Sequence, residues 1–159
     1  MLWPMTDEQW MQQALALARQ AEQAGEVPVG ALVVLNEQII GRGFNQPISG
    51  CDPTAHAEIV ALRQAAKAVN NYRLVDATLY VTLEPCTMCV GAMVHSRIRR
   101  LVFGASEPKA GAVVSQVQLL DSDYLNYRVS YTGGICADAC GQIISEFFAR
   151  RRQQQKAGS

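Results

Sequence analysis

The chain has 159 residues, 49 % of them apolar and 18 % charged, with 14 basic side chains against 14 acidic ones. That length suits one domain with a core of ordinary size, and the composition excludes a disordered, collagenous or disulfide-stapled chain. No run approaches the roughly 20 apolar residues that cross a bilayer and no signal peptide is read, so a soluble cytoplasmic protein without membrane association is expected. Thr6 and Gln9 stand at capping-box spacing, and Trp10, Ala14, Leu17, Ala18 and Ala21 form one apolar stripe. Together they predict a helix over 7–24, ended by Gly25. Residues 27–35 and 38–44 read as strands joined across Asn36 and Glu37, a hairpin. Asp52, Pro53 and Thr54 are expected to open a helix to about Val69, with the proline in its first turn. A strand at 78–83 precedes a short helix from Pro85 to about Val94. Leu101, Val102 and Phe103 make a strand ended by Gly104, and 127–132 a fifth strand. A helix over 135–152 closes the chain, with Cys136, Cys140, Ile144, Phe147 and Phe148 on its apolar side, and 153–159 reads as a loose tail. This order predicts a single α/β domain, a five-stranded mixed sheet with helices on both faces. Strands that run straight into helix N-termini place any site at the carboxyl edge of that sheet.

Charge is unevenly spread. Residues 1–62 hold 2 basic and 7 acidic side chains, whereas 63–159 hold 12 and 7. The positive groups gather at Arg97, Arg99 and Arg100, and at Arg150, Arg151, Arg152 and Lys156. A solvated helix face and a contact for a polyanion both fit that pattern.

Two segments carry chemistry: His56-Ala57-Glu58 at one helix start, and Pro85-Cys86-Thr87-Met88-Cys89 at another. The five cysteines are an odd number, and a C-x-x-C among them fits reduced thiols or a metal better than bridges. C-x-x-C alone also suits a redox dithiol, or a structural zinc completed by Cys136 and Cys140, although those two look like core residues. Cys51 and His95 read as incidental. With His56, the thiolates of Cys86 and Cys89 make a Cys2His set that leaves a fourth tetrahedral position for water, the mark of a catalytic zinc. Residues i and i+2 of a regular helix point about 200° apart, so His56 and Glu58 share a site only at the helix end. Two thiolates cancel the formal charge of the metal, and a neighbouring carboxylate is then needed to take the proton of water. Glu58 suits that role, and hydrolytic deamination of an amidine carbon is the natural reaction of the set.

At these residues the chain resembles the zinc-dependent cytidine/adenosine deaminase superfamily. Glu26 to Ala31, Asp52 to Glu58, Leu79 to Cys86 and Gly91 to Arg97 are similar, more closely, to the bacterial tRNA-specific adenosine deaminases, with the likeness running from about Asp7 to Arg152. The resemblance implies a three-layer α/β/α cytidine-deaminase-like fold and one zinc per subunit on His56, Cys86 and Cys89, with Glu58 as proton shuttle. It implies attack of zinc-bound hydroxide on adenine C6 of the wobble adenosine of a tRNA anticodon, giving inosine, by a homodimer acting on an arginine tRNA. It further implies Asn45 at the flipped base, Glu107 and Lys109 in an anticodon-contacting loop, and Phe148, Arg151 and Arg152 at an RNA-contacting end. Glu107 departs from the family's usual Asp. Two other readings stay open: a deaminase of a free nucleoside or base such as cytidine or guanine, and a zinc-stabilised RNA-binding module without catalysis.

Overall fold

The computed structural model describes residues 3–158. Helix α1 (Asp7–Gln23) starts on Thr6, whose hydroxyl accepts the N–H of Gln9 while the Gln9 side chain accepts the N–H of Thr6, so two orphan donors are satisfied reciprocally. Its apolar stripe is buried, and Gly25 beyond its end holds φ +79°, which costs glycine nothing. Strands β1 (Gly30–Leu35) and β2 (Gln38–Phe44) meet through Asn36 and Glu37, both at positive φ, as a tight two-residue hairpin requires. Helix α2 (Ala57–Val69), strand β3 (Thr78–Leu83), helix α3 (Thr87–Ser96), strand β4 (Arg100–Ala105), a 3-10 turn at Leu119–Asp121, strand β5 (Ser130–Thr132) and helix α4 (Ala137–Ala157) follow.

The sheet order is β2-β1-β3-β4-β5. β1 runs antiparallel to both β2 and β3, while β3, β4 and β5 are parallel. Strand alternation divides the core in two. Ala31, Val33, Leu79, Val81, Leu101 and Phe103 face α2 and α3, whereas Leu32, Val34, Tyr80 and Val102 face α1 and α4. Each fully buried valine or leucine here contributes roughly 1.5–3 kcal/mol by leaving water. Gly43 lets α2 approach β2 closely, since a Cβ there would collide with the Ala57 carbonyl. The three-layer α/β/α expectation holds.

Several boundaries differ from the sequence reading, β1 starting at Gly30 rather than 27 and α4 at Ala137 rather than 135 among them. The helix expected from Asp52 starts at Ala57, because the Asp52 carboxylate accepts both the N–H (2.9 Å) and the hydroxyl (2.7 Å) of Thr54 and closes a turn instead. Pro53 belongs to that turn, not to the helix. The helix expected from Pro85 starts at Thr87, with Cys86 extended before it. The fifth strand begins at Ser130 rather than 127, because its partner β4 begins opposite it at Arg100. The residues 153–157, expected to be loose, continue α4, which suits their run of Gln, Lys and Ala; Ser159 lies outside the described residues. Cys136 sits ahead of α4 in the left-handed region, and Phe148 is exposed rather than on an apolar side.

Candidate active site

Strand direction brings five segments to one sheet edge. Val27 and Val29 lead into β1, Asn45 follows β2, Leu83 ends β3 with Glu84 and Cys86 just beyond it, and Glu107 and Ala110 follow β4. Together with His56 and Glu58 from the start of α2 they line one pocket of about 180 Å³. A larger depression of about 390 Å³ along α2, between Asp52, Arg63 and Lys67, has no comparable set of reactive groups. The chemistry of the walls, not their size, marks the site.

His56 is the N-cap of α2 and Cys86 the N-cap of α3, both with extended backbone. This resolves the angular conflict within His56-Ala57-Glu58. The histidine stands outside the helix, so the 100° rotation per residue does not separate it from Glu58. The same device turns Cys86 toward Cys89 in the first turn of α3. His56 Nδ1 lies 3.5 Å from Cys86 Sγ and 3.6 Å from Cys89 Sγ, and the two sulfurs are 3.8 Å apart. Tetrahedral zinc, with Zn–S of about 2.3 Å and Zn–N of about 2.0–2.1 Å, sets donor separations near 3.8 Å for S–S and 3.6 Å for N–S. The residues therefore fit a zinc ion, in identity and in spacing. Among the described residues they form the one group of three such donors close enough to share an ion. Cys136 and Cys140 lie elsewhere, at the α1–α4 layer, and are not part of it.

The electrostatics follow the packing. Hydrogen bonding from the Cys89 thiol, then from His56, outweighs burial and lowers the Cys86 thiol to about 3. The Cys89 thiol is pushed up as the donor in that pair and by its burial. The hydrogen bond to Cys86 holds the His56 imidazole above its ordinary value. Glu58 is 4 % exposed, and burial pushes its carboxyl up, toward the proton-holding form. It stands beside the donor trio rather than within it.

Asn45, just beyond β2, stands in the pocket wall. Its Oδ1 accepts the Ala57 N–H at 2.8 Å, capping α2, which leaves its amide hydrogens to donate. Glu107 is in the wall, with its carboxylate on the Lys109 N–H at 3.0 Å. Lys109 is exposed and does not line the pocket. Phe148, Arg151 and Arg152 are not in the wall either. Phe148 is 42 % exposed and packs edge-on against Phe147, with ring centroids 5.3 Å apart. The Arg151 guanidinium donates to the Gly25 carbonyl and lies 4.9 Å over the Phe147 ring, Arg150 pairs with Glu22, and Arg152 is exposed.

Two buried carboxylates, Glu84 in the pocket wall and Glu26 next to the wall residue Val27, escaped the sequence reading. Glu26 accepts the N–H groups of Ile48 (3.3 Å) and Ser49 (2.7 Å). Glu84 accepts those of Glu107, Val113, Val114 and Ser115. Burial opposes both charges, and the hydrogen bonds outweigh it, holding both carboxyls below the usual range. The only signal in the sequence is that each precedes a proline by one or two residues at a strand boundary, which does not say what the carboxylate will meet.

The chain matches the MafB19-like deaminase family over residues 5–152. It is 54 % identical over 151 residues to the tRNA-specific adenosine deaminase of Haemophilus influenzae, across 94 % of this chain and 87 % of that one. Against the tRNA-specific adenosine deaminase of Bacillus subtilis it is 42 % identical over 151 residues, covering 95 % and 94 %. A structure solved in studies of A-to-I editing by tRNA:A34 deaminases superposes with a TM-score of 0.81 at 43 % identity, over 84 % of this chain and 96 % of that one. The guanine deaminase of Nitrosomonas europaea reaches 0.74 at 26 % identity, over 91 % and 85 %. A Cys2His donor set at two helix N-caps beside a buried glutamate thus stands in a chain that belongs to the MafB19-like deaminase family and groups with the tRNA-specific adenosine deaminases.

Proposed function

We propose that this chain is a tRNA adenosine deaminase, converting the wobble adenosine of a tRNA anticodon to inosine by hydrolysis at adenine C6. The observation that carries the reading is the juxtaposition of Glu58, a buried carboxyl whose proton affinity burial raises, with the donor set of His56, Cys86 and Cys89 in one pocket. A binding module has use for the donors but none for that glutamate. Sequence identity with tRNA-specific adenosine deaminases, at 54 % and 42 %, exceeds the 26 % shared with the guanine deaminase, and this favours a polynucleotide over a free base.

His56, Cys86 and Cys89 would hold one zinc per chain. Zinc in such a site acts as a Lewis acid that makes water a nucleophile near neutral pH. The remaining steps belong to the chain. Glu58 takes one proton of water and delivers it to the ring nitrogen, then takes the proton of the hydroxyl added at C6 and passes it to the departing amine as the C–N bond breaks and the C–O bond becomes a carbonyl. Burial raises its proton affinity above that of an exposed carboxylate, which suits a group that must bind and release a proton. Asn45 orients the base through its free amide hydrogens, while its Oδ1 stays locked on α2. Val27, Val29 and Leu83 supply apolar walls that exclude bulk water. Glu107 and Lys109 contact the anticodon loop at the mouth, and Phe148, Arg151 and Arg152 on α4 contact the rest of the stem-loop. The enzyme works as a homodimer in the cytoplasm, and an arginine tRNA is the expected substrate. Among the described residues no helix is long and apolar enough to cross a membrane.

The test is a single-turnover comparison of an anticodon stem-loop bearing a wobble adenosine with free adenosine, cytidine and guanine. Inosine in the stem-loop, with the free compounds turning over far more slowly, is the expected outcome. Faster turnover of a free compound would move the chain to the small-molecule deaminases.

A further inference from the structure

Glu84 takes no part in the chemistry above, yet it is 3 % exposed and five donors from one loop converge on its carboxylate. The Glu107 N–H (3.0 Å) and the Ser115 hydroxyl reach Oε1; the N–H groups of Val113 (3.1 Å), Val114 (2.8 Å) and Ser115 (2.9 Å) reach Oε2. Its own N–H donates to the Ala105 carbonyl at 2.8 Å, so the residue is anchored to the end of β4. Gly111 marks how tightly the loop closes, because a Cβ there would overlap the carboxylate. The loop 107–115 contains neither helix nor strand, so its donors are satisfied one by one: the N–H groups of Lys109 and Gly111 by Glu107, and that of Ala112 by the Pro85 carbonyl. One charged group just beyond β3 takes the Glu107 N–H and the three consecutive N–H groups of 113–115. That same loop contributes Glu107 and Ala110 to the pocket wall, across β1 and β3 from Asn45.

We propose that Glu84 is a positioning residue for the deamination: it holds the 107–115 loop so that Glu107 and Ala110 form the far wall of the pocket, and thereby sets RNA binding at the mouth. The inference rests on the RNA-deaminase reading above. Glu84→Gln probes it with little change of shape. Three N–H groups require an acceptor at the Oε2 position, so the new NH2 must take the Oε1 position. There the Ser115 hydroxyl can turn and accept, whereas the Glu107 N–H meets another donor. The substitution therefore unpins Glu107 first. Gly111→Ala attacks the same clamp from the loop side by pushing the carboxylate away, and serves where Glu84→Gln does not fold.

Steady-state kinetics on the wobble-adenosine stem-loop, bound zinc, melting temperature and amide exchange across 106–118 decide the matter together. The loss of a hydrogen bond to a charged group corresponds to about a tenfold change or more, and it is expected chiefly in KM. Zinc stays at the wild-type ratio and exchange quickens in 107–115, while the 46–51 loop held by Glu26 keeps its protection. A wild-type KM in both variants overturns the proposal, whatever the loop exchange shows. Loss of zinc from Glu84→Gln also overturns it, since the residue would then act through Cys86. A fall in melting temperature with wild-type KM and kcat at low temperature reduces Glu84 to a stabilising group. Wild-type protein inactive on the stem-loop defeats the functional reading itself, an outcome separate from the other three.

Discussion

Glu58 and His56 are separated by one residue, and the different tasks proposed for them come from one structural step. The histidine lies before the first helical turn, where its ring can reach the cysteines, and the glutamate lies inside it, where burial raises its proton affinity. Glu58→Ala is expected to lower the deamination rate by at least about 10²–10⁴-fold, the usual range for a general acid–base group. Zinc content and stem-loop affinity should stay near wild type. Substantial inosine formation by that variant would show the proton shuttle to be another group. Phe148 presents the opposite case, an aromatic ring that burial does not explain. It is half in water, so Phe148→Ala is expected to cost stability only on the scale of an edge-on aromatic pair, about 0.5–1.5 kcal/mol. If the ring stacks on a base, RNA affinity falls by about 1–3 kcal/mol. Melts beside binding titrations separate the two. A melting shift of core size with unchanged affinity of the folded fraction would remove Phe148 from RNA recognition.

At the level of elements, the ends of helices do much of the work. The N-terminus of α1 is fixed to the sheet by Asp7, whose carboxylate takes a two-pronged contact from Arg100 at 3.1 and 2.7 Å and the Tyr80 hydroxyl at 2.7 Å. The Arg100 hydrogen bond, together with that from Tyr80, holds the Asp7 carboxyl below its ordinary 3.8 despite partial burial. A lowered carboxylate stabilises the fold wherever it is ionised in the native state, and that contribution is lost as pH falls through the native value, below 3.8. Asp7→Asn should therefore destabilise the protein at pH 7 by about 1–2 kcal/mol, and the difference from wild type should shrink in acid. Urea midpoints at pH 7, 4 and 3 test this. A gap that stays constant to pH 3 would assign the effect to shape rather than charge. At the far end of the chain, Arg150 and Arg151 bind Glu22 and the Gly25 carbonyl, so α4 is tied to the end of α1 along its basic face. Two of the three clustered arginines thus have partners within the fold, a fact that charge counting along the chain does not contain.

For the molecule as a whole, antiparallel pairing of β1 with β2 and β3, and parallel pairing of β3 with β4, turns four strand ends to one edge. The donors and the glutamate come from helices that begin at that edge. Metal analysis is expected to give one zinc per chain, lost on His56→Ala, Cys86→Ser or Cys89→Ser and retained on replacing Cys136 or Cys140. Chelation should abolish activity and lower the melting temperature, since a metal bound only by the native state stabilises it. Recruitment of Cys136 or Cys140 in the isolated metal complex would sink the catalytic assignment. Sedimentation at assay concentration is expected to show a homodimer, which brings the basic α4 of one subunit within reach of RNA bound at the other. An active monomer would remove that arrangement.

What could be read along the chain was what depends on neighbours in sequence. Period-2 and period-3.6 apolar patterns revealed the helices and strands in their correct order, because burial of one face is a local demand on spacing. The capping box at Thr6 and the positive-φ pair at Asn36 and Glu37 are local in the same sense, and so is the identity of the donor set, since C-x-x-C and His-x-Glu each span a single turn. Two helix starts moved where a local rule had a local competitor. Asp52 and Thr54 satisfy each other in a turn and delay α2, and Cys86 stays extended as the cap of α3. The rest was decided by contacts distant in sequence. His56 and Cys86 are 30 residues apart and come within 3.5 Å through the sheet. Glu84 meets a loop that begins 23 residues later, and Arg151 meets the end of α1. A buried carboxylate is stable only with its donors assembled around it, and the tertiary fold alone assembles them.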